Sequence, residues 1–124
     1  MSPCEVEMVG KSINYDTFIF WDCNKTPQLQ NTHEKVLSAL NPLREGLFPP
    51  DLESVTGINE EDRSYIEKYG DLLVSARFSP HITITRILNV RDAVDILKLI
   101  QAQDNTYFVA SKLTLAYSGP NGTV

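Results

Sequence analysis

Between Val6 and Asp22 the apolar residues cluster the way strand residues do. Met8-Val9 leads through Gly10-Lys11 to Tyr15-Asp-Thr-Phe-Ile-Phe-Trp21, which is dominated by aromatic and β-branched side chains. Gly10 and Asn14 are turn formers, so the segment predicts an antiparallel hairpin whose register stays open. The unbroken run Phe18 to Trp21 predicts a strand covered on both faces. After Thr26-Pro27 the period changes. Leu29, Val36, Leu37 and Leu40 recur at helical spacing and predict a helix from about Pro27 to Asn41. Thr26 can cap its free amides, Pro27 fits its first turn, and Asn41-Pro42 ends it, because a residue before proline is pushed out of the helical region.

Residues 43 to 58, punctuated by Gly46, Pro49, Pro50 and Gly57, read as a long loop. Asn59 and Asp62 predict the capped start of a short helix from Glu60 to Tyr69, closed by Gly70. The strongest strand pattern follows, from Ala76 to Leu88. Asn89 then caps a third helix whose stripe is Val90, Val94, Leu97 and Ile100. A last strand, Tyr107 to Tyr117, alternates Leu113, Leu115 and Tyr117 with Lys112, Thr114 and Ala116, and the tail from Ser118 to Val124 is turn-like. The order β-β-α-α-β-α-β predicts one α+β domain spanning residues 1–124, a mostly antiparallel sheet with helices on one face. No internal repeat or low-complexity segment interrupts it.

Composition narrows the partners. Hydrophobic residues make up 42% and charged residues 22%, the balance of an ordinary globular domain. No apolar run reaches the roughly 20 residues that span a bilayer. Met1-Ser-Pro-Cys-Glu5 lacks the basic and apolar blocks of a secretory signal, so a cytoplasmic address is expected. Cys4 and Cys23 are too far apart in sequence for a C-x-x-C site and predict reduced thiols. A net charge of -5 with a pI near 4.9 suits a long nucleic-acid duplex poorly. A pocket for one phosphate is still compatible with it, since a few groups outweigh global charge at short range.

The chemistry lies in Pro80-His-Ile-Thr-Ile-Thr-Arg86. Strand alternation predicts His81, Thr83 and Thr85 on one face, with Ile82 and Ile84 on the helix-covered other. An imidazole can give or take a proton near neutral pH. A threonine two residues on, about 6–7 Å along the strand, can hydrogen-bond an anion that the imidazole also touches. The plainer reading is that threonine is simply a good strand residue and that one His-x-Thr arises by chance in many proteins.

The segment resembles the 2H phosphoesterases, which include RNA 2',5'-ligase-like and 2',3'-cyclic phosphodiesterase members. Their signature is a strand carrying His-x-Thr or His-x-Ser between apolar residues, as in Pro80-His-Ile-Thr-Ile84. A branch associated with phosphonate metabolism is similar in context. It places a helix and a short loop before such a strand, as Tyr65-Ile-Glu-Lys-Tyr-Gly70 and Leu72-Leu-Val74 precede Phe78-Ser-Pro-His81 here. The resemblance spans residues 6 to 117, though its specific part is short. It implies metal-free acid–base cleavage or ligation of a small phosphodiester, such as a 2',3'-cyclic phosphate or an RNA end, without a cofactor. His81 would be general acid or base, with Thr83 on the phosphate and Thr85 in support.

The family carries two such motifs, one per lobe, and this chain has one, so it looks like the C-terminal lobe alone. Its other histidine, His33 in Thr32-His-Glu-Lys35, lies on the first helix's apolar stripe and reads as structural. The missing half would come from a homodimer or from a separate complementary lobe. Otherwise the chain is a catalytically inactive α+β module kept as an interaction surface. Lys112 joins the phosphate-binding candidates if the last strand pairs beside that of His81. Arg86 falls on the isoleucine face by simple alternation and would reach the site only through a bulge. No P-loop, dinucleotide fingerprint, H-E-x-x-H or nucleophile elbow competes.

Overall fold

In the computed structural model, which describes residues 3–14, 17–48, 58–100 and 106–117, β1 (Cys4–Asn14) and β2 (Phe18–Cys23) form the expected hairpin. β3 (His81–Arg86) pairs along the outer side of β2, and β4 (Thr106–Ala110) along the outer side of β1. The sheet order is β3-β2-β1-β4 and every pair is antiparallel. Around it stand α1 (Pro27–Leu40), α2 (Glu60–Tyr69) and α3 (Val90–Ile100). The fold is a mixed α+β one, as the element order predicts. Two stretches assigned from sequence, the second half of the long loop (49–57) and the tail (118–124), lie outside the described residues.

Helix ends follow the local chemistry of the sequence. Thr26 Oγ1 accepts the Leu29 amide at 3.2 Å, Asn59 Oδ1 that of Asp62 at 2.8 Å, and Asn89 Oδ1 that of Arg91 at 3.1 Å. Each satisfies a donor that has no partner within its helix. Gly70 closes α2 with φ +74, a conformation that side chains avoid. A Cβ there would also meet Arg44 Cδ at 2.9 Å. Arg44, in a 3-10 turn that continues α1 (Asn41–Arg44), donates to the carbonyls of Glu67 and Leu47, and Asn41 Nδ2 donates to that of Lys68. Backbone acceptors thus tie the end of α1 to the end of α2.

The core lies mainly under one face of the sheet, with Phe20 buried on the other. Cys4, Val6 and Met8 alternate inward on β1 and Ile19 on β2 is wholly buried, joined by Ile66 of α2 and Ala93 of α3. Leu29 of α1 faces Val6 and Cys23, which places α1 on that side. At its margins the core is thinner than the apolar pattern implies. Ala93, 1% exposed, takes the centre of the packed face of α3, while Val90 and Val94 are half exposed. Ile82 and Ile84 remain about 40% exposed, less covered than expected, because β3 is an edge strand. The last strand stops at Ala110, opposite Cys4. Beyond that pair 111–117 carries no regular structure, and Leu115 and Tyr117 are exposed.

Candidate functional site

β3 is entered through a short fixed approach. A 3-10 turn, Ser75–Arg77, is followed by Phe78, Ser79 and Pro80, and the Pro80 carbonyl accepts the Cys23 amide at 2.9 Å. His81 then stands exposed, its ring stacked on Phe20 at 3.8 Å between centroids and 12° between planes. Its Nδ1 lies 2.8 Å from the carbonyl oxygen of Ser79. A carbonyl oxygen only accepts, so Nδ1 carries the proton and Nε2 is left to exchange one with a ligand. Ring direction and tautomer are both set by the chain's own backbone.

Pairing with β2 decides which neighbours share this face. His81 lies opposite Asp22 and Thr83 opposite Phe20. There the register slips: Ile19 pairs with Thr85, so Ile84 is the extra residue of a β-bulge. Beyond the bulge Arg86 pairs with Phe18, and its guanidinium carbon lies 5.3 Å from that ring's centroid. Phe18 and Phe20 are themselves 6.2 Å apart, so Arg86, Phe18, Phe20 and His81 form a continuous row. His81 and Thr83 share a face as expected. Thr85 does not join them, because its cross-strand partner Ile19 points to the buried side.

Lys112 is placed far from this face. It follows β4 on the opposite edge of the sheet from β3, in the irregular stretch after Ala110, so the side-by-side pairing that would have brought it in is not formed. Two residues were missed from sequence. Phe20 supplies the floor for the His81 ring, and its only signal was membership of the apolar run. Asp22 is the cross-strand neighbour of His81, a relation that register alone reveals. Among the described residues no hydrogen bond engages the hydroxyls of Thr83 and Thr85.

His33 has a different situation. It is half-buried on α1, stacked on Phe78 at 4.0 Å and 4°, and its Nε2 accepts the Ser75 amide at 2.8 Å. Burial, the largest influence, holds its pKa below the ordinary imidazole value; Glu34 pulls upward and Lys25 downward. An imidazole whose Nε2 is occupied by a backbone amide is a structural group, as the sequence reading expects.

A groove of about 290 Å³ opens below His81 on the α1 side, lined by Val6, Cys23, Leu29, Phe78, Pro80 and Phe108. Burial, and then the Asp22 charge, raise the Cys23 thiol above its ordinary pKa, so it enters the groove as a neutral thiol. Among the described residues no three His, Cys, Asp or Glu side chains gather closely enough to hold a metal ion, and no helix is long and apolar enough to cross a membrane. No family model, curated protein or solved structure matches the chain.

Proposed function

We propose that the open face of β3 is half of a phosphodiester-processing site of the two-histidine type. In this reading His81 Nε2 is general acid or base, the Thr83 hydroxyl donates to a phosphate oxygen, and Arg86 balances the phosphate charge. The observation that carries it is the fixed Nδ1–H···O=C bond from His81 to Ser79, which aims a titratable nitrogen at the face that Thr83 and Arg86 share. Backbone-oriented imidazoles of this kind are prepared for proton transfer before a ligand arrives. The chemistry is acid–base at phosphorus without a metal, on a small substrate such as a 2',3'-cyclic phosphate or an RNA end.

One imidazole cannot both deprotonate the nucleophile and protonate the leaving oxygen in a single step. His33, committed to Ser75, does not supply the second. The complementary group therefore comes from another polypeptide, either a second copy across a two-fold axis or a separate lobe. The same commitment of His33 favours the rival reading, a catalytically inactive lobe used as an interaction module. The pure chain, incubated with a 2',3'-cyclic mononucleotide in EDTA, separates the two. Turnover that disappears in His81→Ala supports the enzyme reading, and light scattering then gives its oligomeric state. Absence of turnover at every protein concentration, with a folded chain, favours the module.

A further inference from the structure

We propose that His33 is a pH-operated latch on the approach to His81: neutral, it holds the turn Ser75–Arg77 against α1, and when it takes a proton it lets that turn go. The proposal rests on the contacts of segment 75–81 and stands whether or not β3 carries a phosphoesterase site.

Ser75 is held in an uncommon backbone state, φ +53, in a residue with a side chain. Two side chains one helical turn apart on α1 grip both of its peptide groups. Gln30 Nε2 donates to its carbonyl at 2.9 Å, and His33 Nε2 accepts its amide at 2.8 Å. Lys25 Nζ adds a bond to the next carbonyl, that of Ala76, at 3.1 Å. The amide bond exists only while Nε2 is bare. Protonation sets one N–H against another, so a neutral latch becomes a repulsive contact without any atom having moved.

The consequence travels a short, fully connected route. The His33 ring lies flat on Phe78, the first residue after the turn. The next residue, Ser79, supplies the carbonyl that fixes the His81 tautomer. Release of Ser75 therefore frees the segment whose backbone aims His81. The charged and titratable groups facing His33 are Glu34 and Lys25, which act on it with opposite sign. Tyr69 of α2 faces Ser75, and Arg77 on the turn is paired with Glu61 and Asp62. Among these side-chain types imidazole alone has its ordinary range between pH 5 and 8.

The test is an NMR titration of the full ¹⁵N-labelled chain from pH 7.5 to 5, following the Ser75 amide, its hydrogen-exchange protection and the ring protons of both histidines. The expected result is at least a tenfold loss of Ser75 protection, corrected for intrinsic exchange. Its midpoint should match the His33 ring titration and reappear as an inflection in the His81 resonances. His33→Gln, which keeps an acceptor but cannot titrate, should hold Ser75 protection flat, and His81→Asn should leave the transition in place. Constant Ser75 protection in the wild type overturns the latch, and so does a transition that persists in His33→Gln or vanishes in His81→Asn. If His33→Gln does not fold, the wild-type and His81→Asn titrations decide alone.

Discussion

Both histidines stack on a phenylalanine and both are tied to the backbone near residues 75–79, yet the ties run in opposite senses. His33 uses Nε2 as an acceptor, toward an amide. His81 uses Nδ1 as a donor, toward a carbonyl. The first tie survives only in the neutral ring, whereas the second is compatible with either protonation state. One histidine is therefore a fastening that acid undoes, and the other a held but chemically available group. The difference lies less in the histidines than in which backbone atom each meets, and strand or helix position decides that.

Removing each ring in turn separates the two roles. In the enzyme reading, His81→Asn should lower turnover by at least about a hundredfold, the usual range for losing a general acid–base. It should leave the thermal midpoint nearly unmoved, since the ring is exposed and stacks on Phe20 from the open side. A large stability loss with modest activity loss would make His81 structural too. Next in size is Arg86→Gln, expected to lower kcat/KM about tenfold by removing a charged hydrogen bond to phosphate. An unchanged kcat/KM would mean that the bulge turns Arg86 to Phe18 alone.

Smaller, and opposite in kind, is His33→Phe. It keeps the stack on Phe78 but leaves the Ser75 amide without its acceptor, at a cost of about 1 kcal/mol for a half-buried bond. It should not touch chemistry directly. It should also change how stability responds to pH. The folded-state pKa of His33 lies below the ordinary imidazole value of about 6.5. The unfolded chain therefore takes the proton first. Stability from this residue is complete above about 6.5 and is lost as pH falls from there through the lowered folded value. Urea melts at pH 7.5 and 5 should show that loss in the wild type and a smaller one in His33→Phe.

What sequence could and could not show divides along the same line. Caps and breakers are local chemistry, so Thr26, Asn59, Gly70 and Asn89 marked the helix ends directly. The pairing of His81 with Thr83 on one face followed from the two-residue period. Nothing in Ile-Thr-Ile-Thr marks which residue is the extra one, because β-branched residues suit every position of a strand. The bulge at Ile84 is decided by the fit of β3 to β2 and changes the site by one member, Arg86 for Thr85. The end of the last strand was hidden too. Leu113, Leu115 and Tyr117 alternate as a strand should, but pairing needs a neighbour, and β1 has begun by then at Cys4.

The two threonines give the finest test of that register. By alternation alone Thr83 and Thr85 are equivalent, and both should bind phosphate. By the observed pairing Thr83 shares the face of Phe20 and His81, while Thr85 is matched to the buried Ile19 and points away. Thr83→Ala should therefore cost about fivefold to tenfold in kcat/KM, the size of one hydrogen bond to a charged oxygen. Thr85→Ala should change it by less than about twofold, within the usual range for a surface substitution. Deleting Ile84 removes the extra residue and leaves Thr85 opposite Ile19 and Arg86 opposite Phe18, so both side chains keep their faces. In that deletion variant Arg86→Gln should still lower kcat/KM and Thr85→Ala should still change it little. Equal losses for the two threonines in the wild type would place both on the ligand face and show that β3 pairs with β2 without a slip.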